Sequence, residues 1–342
     1  MIKLGLVGCG RISKTHFKAL EDHKDRCKLV AVCDVASDRA STAASENSCK
    51  FYTSLEAMLS NEQLDLVSIC TPSGLHPKHG VMAAKYGINV LTEKPVGVSL
   101  EEVDELIRVC DSQGVRLFVV KQNRLNGTMQ LLKKAICKGR FGKIFLVQSN
   151  VFWQRPQDYY DCEKWRGTWE LDGGAFMNQA SHYVDMLFWL IGEAEYVMAS
   201  TATMARRIET EDTGSAIIKF RNGALGNINV TMLTYPKNFE GSITILGEKG
   251  TVRIGGVAIN KIEKWEFADY DDDDKNIFDA SYNPPSVYGF GHFAFYKNVF
   301  DALEKNMIAE ADGRSARKSL EIIHAIYLSA REGRKISLPL TL

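Results

Sequence analysis

Lys3-Leu4-Gly5-Leu6-Val7-Gly8-Cys9-Gly10-Arg11-Ile12-Ser13 decides the fold. A β-type run over 3–7 meets a glycine turn that opens directly into a helical pattern near 13–20. The spacing is that of the Gly-x-Gly-x-x-Gly/Ala dinucleotide fingerprint, with Ser13 at its third position. Gly8 permits the tight turn, Gly10 lets a pyrophosphate approach the backbone, and a small third residue lets the helix lie close on the strand. The helix N-terminus then offers unsatisfied N–H groups and a partial positive charge to phosphate. Asp34 ends the next apolar run. A carboxylate there accepts hydrogen bonds from adenosine ribose hydroxyls and repels a 2′-phosphate, which selects NAD over NADP. The same residue also reads as a helix-capping Asp.

Outward from this motif, β-type runs (28–33, 64–70, 89–92, 116–120) alternate with helical patterns near 38–45, 76–86 and 100–113. Ser99-x-x-Glu102 is a capping box ahead of the last of these helices. Strands separated by crossover helices mean a doubly wound parallel sheet covered on both faces. After a helix near 128–138 the pattern changes to long strand-like segments at 143–152, 196–203, 215–220, 224–234, 242–246, 251–254 and 262–267. Turns at Arg221-Asn222-Gly223 and Gly247-Glu248-Lys249-Gly250 join some of them, which predicts an open, mostly antiparallel sheet. Helices near 288–304 and 315–332 close the chain. The fold class is α/β, with a nucleotide-binding domain over 1–121 and an α+β domain over 122–342 for substrate binding and oligomerisation. A length of 342 residues accommodates both.

Composition excludes several function classes. Lys+Arg and Asp+Glu both number 42, so the net charge is zero and no bulk electrostatic footprint for nucleic acid exists. The 8 cysteines show no Cys-x-x-Cys pair and no zinc spacing, which predicts buried free thiols in a reducing compartment and no metal centre. The longest apolar run, 186–191, is too short to span a bilayer. A cytoplasmic protein is expected. Asp271-Asp272-Asp273-Asp274-Lys275 reads as a solvated loop.

Three stretches carry chemistry. Thr71-Pro72-Ser73 lies at the carboxyl edge of the run 64–70, where such sheets bind ligands, and reads equally as a cofactor contact or a plain loop. Lys94, in Glu93-Lys94-Pro95 after the run 89–92, stands where a nicotinamide would lie. Partial burial would lower its pKa toward neutrality and suit it to acid/base work on a substrate hydroxyl. From chemistry alone, a surface loop lysine is an equal reading. Asn178, His182 and Asp185 fall on one face of a helix opening after Gly173-Gly174. They form a polar stripe on an otherwise apolar helix, which suits substrate binding or a proton relay.

Taken together, Gly8-x-Gly10, Glu93-Lys94-Pro95, Trp165-Arg166, Gly173-Gly174 and His182-x-x-Asp185 resemble the Gfo/Idh/MocA oxidoreductases along essentially the whole chain. Within that family, Lys121-Gln122-Asn123-Arg124, the stretch 165–174 and Met177-Asn178-Gln179-Ala180-Ser181-His182 resemble the UDP-N-acetylglucosaminuronate 3-dehydrogenases. Many family members have Asp where this chain has Asn178, and Met-Asn-Gln is typical of the nucleotide-sugar subgroup. The resemblance implies a Rossmann domain that holds NAD through Gly8, Gly10, Arg11, Ile12, Asp34, Thr71, Pro72, His76, Glu93, Lys94 and Gln122. Trp165 and Arg166 would reach back to the cofactor.

The implied reaction transfers a hydride from C3 of a UDP-linked 2-acetamido-2-deoxyglucuronate to NAD, in polysaccharide, O-antigen or lipopolysaccharide precursor synthesis. Lys94 would remove the C3 hydroxyl proton, with His182 orienting that hydroxyl or sharing the transfer. Asn178 would bind the sugar without adding a second negative charge beside an anionic substrate. Lys121, Asn123 and Arg124 would meet its carboxylate or diphosphate. His292 and Tyr296, one turn apart, would lie on a substrate-side helix. Trp169 and Tyr296 read equally as plain core aromatics, and Arg206 and Arg207 as surface charges or contacts to a neighbouring subunit's ligand. A homodimer or homotetramer formed by sheet packing is expected, as is 2-oxoglutarate as a co-substrate in some members of the subgroup. Competing expectations are a dehydrogenase of a free polyol such as an inositol, or a non-catalytic NAD-binding regulator on the same fold.

Overall fold

Apolar runs that alternate with helices must bury both sheet faces, and the chain does so. The structure, a computed structural model, describes residues 1–281 and 291–341. From the N-terminus run β1 (Ile2–Val7), α1 (Ser13–Glu21), β2 (Cys27–Cys33), α2 (Ser37–Glu46), β3 (Lys50–Tyr52) and α3 (Leu55–Asn61). Then come β4 (Leu66–Ile69), α4 (His76–Lys85), β5 (Asn89–Thr92), α5 (Leu100–Ser112) and β6 (Leu117–Val119). Among the described residues these strands pair in the order β3-β2-β1-β4-β5-β6, each pair parallel. The order reverses between β1 and β4, and such a switch point opens a ligand crevice at the strands' carboxyl ends. All of β4 is buried, as a strand covered on both faces requires. Ser99 caps α5 by accepting the Glu102 amide at 3.2 Å.

The rest of the chain begins with α6 (Gly127–Cys137), β7 (Ile144–Phe152), α7 (Gln157–Asp161) and α8 (Ser181–Ile191). It continues through β8 (Ala194–Ala202), β9 (Thr213–Phe220), β10 (Leu225–Thr231), β11 (Glu240–Gly247), β12 (Gly250–Gly255) and β13 (Lys261–Phe267). The last elements are α9 (Ile277–Ala280), α10 (Gly291–Lys305), α11 (Gly313–Glu332) and β14 (Ile336–Ser337). The second sheet has the order β13-β12-β11-β7-β10-β9-β8-β14. Its pairs are antiparallel except β7 with β10, which run parallel. A parallel pair needs a long crossover, and α8, β8 and β9 lie within this one.

The chain divides into two compact units, Met1–Gln122 with His292–Arg317, and Asn123–Gly291 with Lys318–Leu342. The first boundary falls one residue from the expected 121, but the chain returns. Residues 292–317, expected in the second domain, complete the first. There His23 stacks on Phe293 at 4.3 Å, Arg26 pairs with Asp301 at 3.0 Å, and Arg317 bonds Asp104 at 2.6 Å. Positions 288–290 of the helix expected near 288–304 lie outside the described residues.

Two further expectations are corrected. The acidic run 271–274, expected as a solvated loop, is solvent-accessible but forms a short helical turn over Asp272–Asn276 and is ion-paired. Asp273 pairs with Lys134 at 2.7 Å, Asp271 with Lys138 at 2.7 Å, and Asp274 accepts from Arg140 at 2.8 Å, so the run neutralises the basic end of α6. All eight thiols are free among the described residues, but Cys137 and Cys162 are exposed rather than buried. No helix among the described residues is long and apolar enough to cross a membrane.

Gly8 has φ +95°, and a Cβ there would sit 2.6 Å from the Cys70 backbone carbon and oxygen. A left-handed conformation costs a non-glycine residue roughly 1–2 kcal/mol before any clash. Gly8→Ala is therefore expected to lower unfolding free energy by at least about 2 kcal/mol, read as a fall in the urea midpoint by circular dichroism. An unchanged midpoint would contradict this account of the turn.

Candidate functional site

In the first unit the glycine turn is shaped to receive phosphate. Ser13 Oγ donates to the Gly10 carbonyl at 2.7 Å and closes the turn. A Cβ at Gly10 would meet nothing within 4 Å, so the backbone there stands open to a ligand. No side chain caps the N-terminus of α1, the state in which helix amides are offered to an anion. Asp34 is buried at the end of β2. Its Oδ2 accepts the Cys9 amide at 2.9 Å, and its Oδ1 accepts the Ala36 amide at 2.8 Å and Arg39 Nη2 at 3.0 Å. It caps no helix, since α2 starts at Ser37 behind an uncapped Ala36. Arg39 is about half exposed, so this ion pair is screened by solvent and weakly held. The turn and the carboxylate fit a dinucleotide. Arg11 and Ile12 lie on the turn itself.

His76 joins the two loops that follow β4 and β5. Its buried ring lies 2.8 Å from the Thr71 carbonyl and 2.8 Å from the Pro95 carbonyl. Burial lowers its pKa against the pull of those carbonyls.

Glu93 is the centre of a buried network. Its Oε1 accepts from His16 Nε2 at 2.9 Å and from His292 Nε2 at 3.1 Å, and its Oε2 accepts the Lys94 amide at 3.0 Å. Tyr296 OH lies 2.8 Å from His16 Nδ1 and 3.2 Å from Ser68 Oγ. Burial alone would push the Glu93 carboxyl up, but the two imidazole hydrogen bonds outweigh it and hold it well below the usual carboxylate range. Burial lowers the His16 pKa, against the pull of Glu93. The donor atoms of His16, Glu93 and His292 lie within 4.8 Å of one another, and their mutual hydrogen bonds account for that closeness. His292, through Nε2, and Tyr296, through its hydroxyl, bond within the nucleotide unit, while the buried His292 Nδ1 has no hydrogen-bond partner among the described residues. Lys94 is half-buried beside the pinned carboxylate.

In the second unit Arg124 donates from Nε and Nη2 to both oxygens of Asp185, each at 2.8 Å, with both side chains buried. In this structure Arg124 clamps the carboxylate of Asp185 on α8, and this explains an Asp on an otherwise apolar helix. Lys121, Gln122 and Asn123 are buried beside it in sequence. Only His182 and Asp185 of the expected polar face are helical. Asn178 precedes α8, in a turn where its amide donates to the Gly174 carbonyl at 2.9 Å and its Nδ2 to Asp172. Gly173 at φ +77° precedes a run of turns that extends through Ala180, so α8 begins only at Ser181. His182 is buried in the first turn of α8.

Arg166 stacks over Tyr159 at 4.2 Å, next to a half-buried Trp165. Trp169 is not a core residue. It is 49% exposed and meets the Tyr327 ring edge-on at 5.2 Å. Arg206 Nε donates to the Arg155 carbonyl at 2.6 Å, whereas Arg207 is exposed. Sequence reasoning missed His16, Ser68, Glu211 and Tyr327. His16 had a faint signal, standing one turn beyond Ser13 on the fingerprint helix, but the others had none.

The oxidoreductase-family model for the NAD-binding Rossmann fold matches residues 2–121, and the model for that family's C-terminal alpha/beta domain matches residues 133–338. The WlbA dehydrogenase from Bordetella pertussis, solved with NADH and UDP-GlcNAcA, is 55% identical with a TM-score of 0.97, over 99% of this chain and 98% of that one. The WlbA dehydrogenase from Chromobacterium violaceum, solved with the same ligands, is 53% identical with a TM-score of 0.96, over 100% and 97%. The inositol 2-dehydrogenase of Rhizobium meliloti is 27% identical over 98% of this chain and 99% of its own length.

The buried network makes the nucleotide unit acid-sensitive. On unfolding, His16 and His76 regain an ordinary pKa near 6.5 and Glu93 one near 4.5, whereas the folded chain binds those protons only at lower pH. Unfolding is thus linked to proton uptake, and stability must fall as pH drops below about 6.5 and again below about 4.5. Urea midpoints measured from pH 7.5 to 4 should fall in that order, with Glu93→Gln losing the lower phase. A midpoint independent of pH would refute the network as described.

Proposed function

Because this chain belongs to the Gfo/Idh/MocA oxidoreductase family, we propose that it oxidises the C3 hydroxyl of UDP-2-acetamido-2-deoxy-D-glucuronate to the 3-keto sugar. The observation that carries this reading is the 55% identity, over nearly the full length of both chains, to a dehydrogenase solved with NADH and that nucleotide sugar. Bound NAD supplies the hydride acceptor. Its phosphates meet the Gly8–Gly10 turn and the uncapped start of α1, and its ribose meets Asp34. Lys94 Nζ takes the C3 hydroxyl proton as the hydride leaves C3, and His182 orients that hydroxyl. Asn178 bonds the sugar as a neutral group, where a carboxylate in its place would repel the uronate. Lys121 and Asn123 serve the anionic groups of the substrate, and Trp165 and Arg166 serve the cofactor. Arg124 holds α8 through Asp185 and stands with Lys121 and Asn123 for the substrate's anionic groups.

The product would enter polysaccharide or O-antigen precursor synthesis in the cytoplasm. We further propose a homo-oligomer formed through the outer face of the second sheet. Met198 and Ile217, paired across β8 and β9, are 51% and 53% exposed there, and such a face favours burial against another copy.

The test mixes protein, NAD and UDP-N-acetylglucosaminuronate, with and without 2-oxoglutarate, and follows the NADH absorbance band. A rise without the keto acid supports oxidation with released NADH. Joint appearance of 2-hydroxyglutarate and a 3-keto sugar by mass spectrometry supports recycling of the cofactor in place. Neither product in any mixture would overturn the nucleotide-sugar reading and favour a free polyol. Lys94→Ala should lower kcat by about 10²–10⁴, and unchanged activity would remove Lys94 from the chemistry.

A further inference from the structure

The turn of residues 174–177 lies directly before Asn178 and α8, and its amides are almost wholly held from outside it. Gly174 N and Met177 N both donate to Tyr327 OH, at 3.3 and 3.1 Å. Ala175 N donates to the Glu211 carbonyl at 3.0 Å and Phe176 N to Glu211 Oε1 at 2.8 Å. Tyr327 OH in turn donates to Glu211 Oε1 at 3.0 Å. Two side chains and one carbonyl thus satisfy four consecutive amides. Glu211 is only 3% exposed, and its Oε2 has no hydrogen-bond partner among the described residues. That oxygen lies 1.7 Å from where a Cβ on Gly174 would be, so the carboxyl fits against the turn only because residue 174 is glycine.

We propose that Glu211 and Tyr327 are positioning residues of the substrate site, fixing the turn that presents Asn178 and sets where the helix bearing His182 begins. This rests on the substrate reading above, in which Asn178 and His182 meet the sugar. Neither residue touches the reacting atoms. They act by holding backbone amides that would otherwise be free to rearrange, so they should govern sugar binding rather than cofactor binding.

The pair also makes the turn sensitive to pH. The titratable groups facing Glu211 are Tyr327 on α11 and the adjacent Asp212. Burial pushes the Glu211 carboxyl up to about 7, against the pull of the Phe176 amide and Tyr327, with Asp212 adding to the rise. The fold therefore favours the neutral acid, and the stability this lends the turn is lost as pH rises through about 7. KM for the nucleotide sugar should rise over the same interval.

The experiment compares wild type, Glu211→Gln and Tyr327→Phe between pH 6 and 8. Tyr327→Phe, which removes the hydroxyl that accepts two amides and donates to Glu211, should raise KM for UDP-N-acetylglucosaminuronate about tenfold, with the Kd for NAD unchanged. Glu211→Gln, which cannot ionise, should lose the KM inflection near pH 7 seen in wild type. Hydrogen exchange is read in parallel. Amides of residues 174–177 should exchange faster in Tyr327→Phe while those of β1 and β4 do not. If wild type shows no turnover, the substrate reading fails and exchange alone decides the role of the pair. Unchanged exchange in Tyr327→Phe, or a KM inflection that persists in Glu211→Gln, overturns the proposal.

Discussion

A carboxylate taken out of water must find partners or give up its charge, and in the nucleotide unit Glu93 meets that demand with parts from distant stretches of chain. An isolated buried charge is among the costliest groups a protein can hold. Here one oxygen receives two imidazole donors and the other a backbone amide. The donors come from α1, which opens the dinucleotide turn, from α10, and from the residue after Glu93 itself. The arrangement is satisfied only when all three are in register, so the loop carrying Lys94 inherits its position from the first helix and from a late one. His76 braces the same loop from the side, with its ring against the Pro95 carbonyl.

The second unit follows the same rule with other means. Arg124 and Asp185 are both fully buried, and their two parallel bonds lock α8 to the segment before α6. The Asp271–Asp274 run faces Lys134, Lys138 and Arg140, so a chain of zero net charge keeps even its densest acidic stretch locally matched. Around these pairs the sheet is bland. Inner residues of β7 such as Val147, Ser149 and Val151 are buried, and the outer ones face away.

Much of the first unit was legible because its signals are local. The glycine turn, the alternating runs and the cap at Ser99 each sit within a dozen residues, and β5 has the bounds its apolar run suggests. β3 and α3, at three and seven residues, were too short to show a period. What escaped were pairings across long separations. Helical spacing says that His292 and Tyr296 share a face, but not that the face meets Glu93. Arg124 and Asp185 are 61 positions apart, and nothing in either neighbourhood announces the other. Glu211, inside Glu209-Thr210-Glu211-Asp212, looks like any surface acid, since its burial is decided by a glycine and a tyrosine far away in sequence. Asn178 was misplaced because the residues after Gly173-Gly174 run as turns until α8 begins at Ser181.

The return of residues 292–317 to the first unit has a consequence for synthesis. A ribosome releases the dinucleotide turn, the parallel strands and Glu93 long before His292 and Tyr296 exist. At typical elongation rates, about 200 further residues take roughly 10–40 s. Through that interval the emerging nucleotide unit holds a carboxylate short of one of its donors and a sheet flank without α10, so it waits in an unfinished state. A fragment cut at the apparent end of the parallel sheet would remain there, and the smallest piece able to complete this unit includes α10.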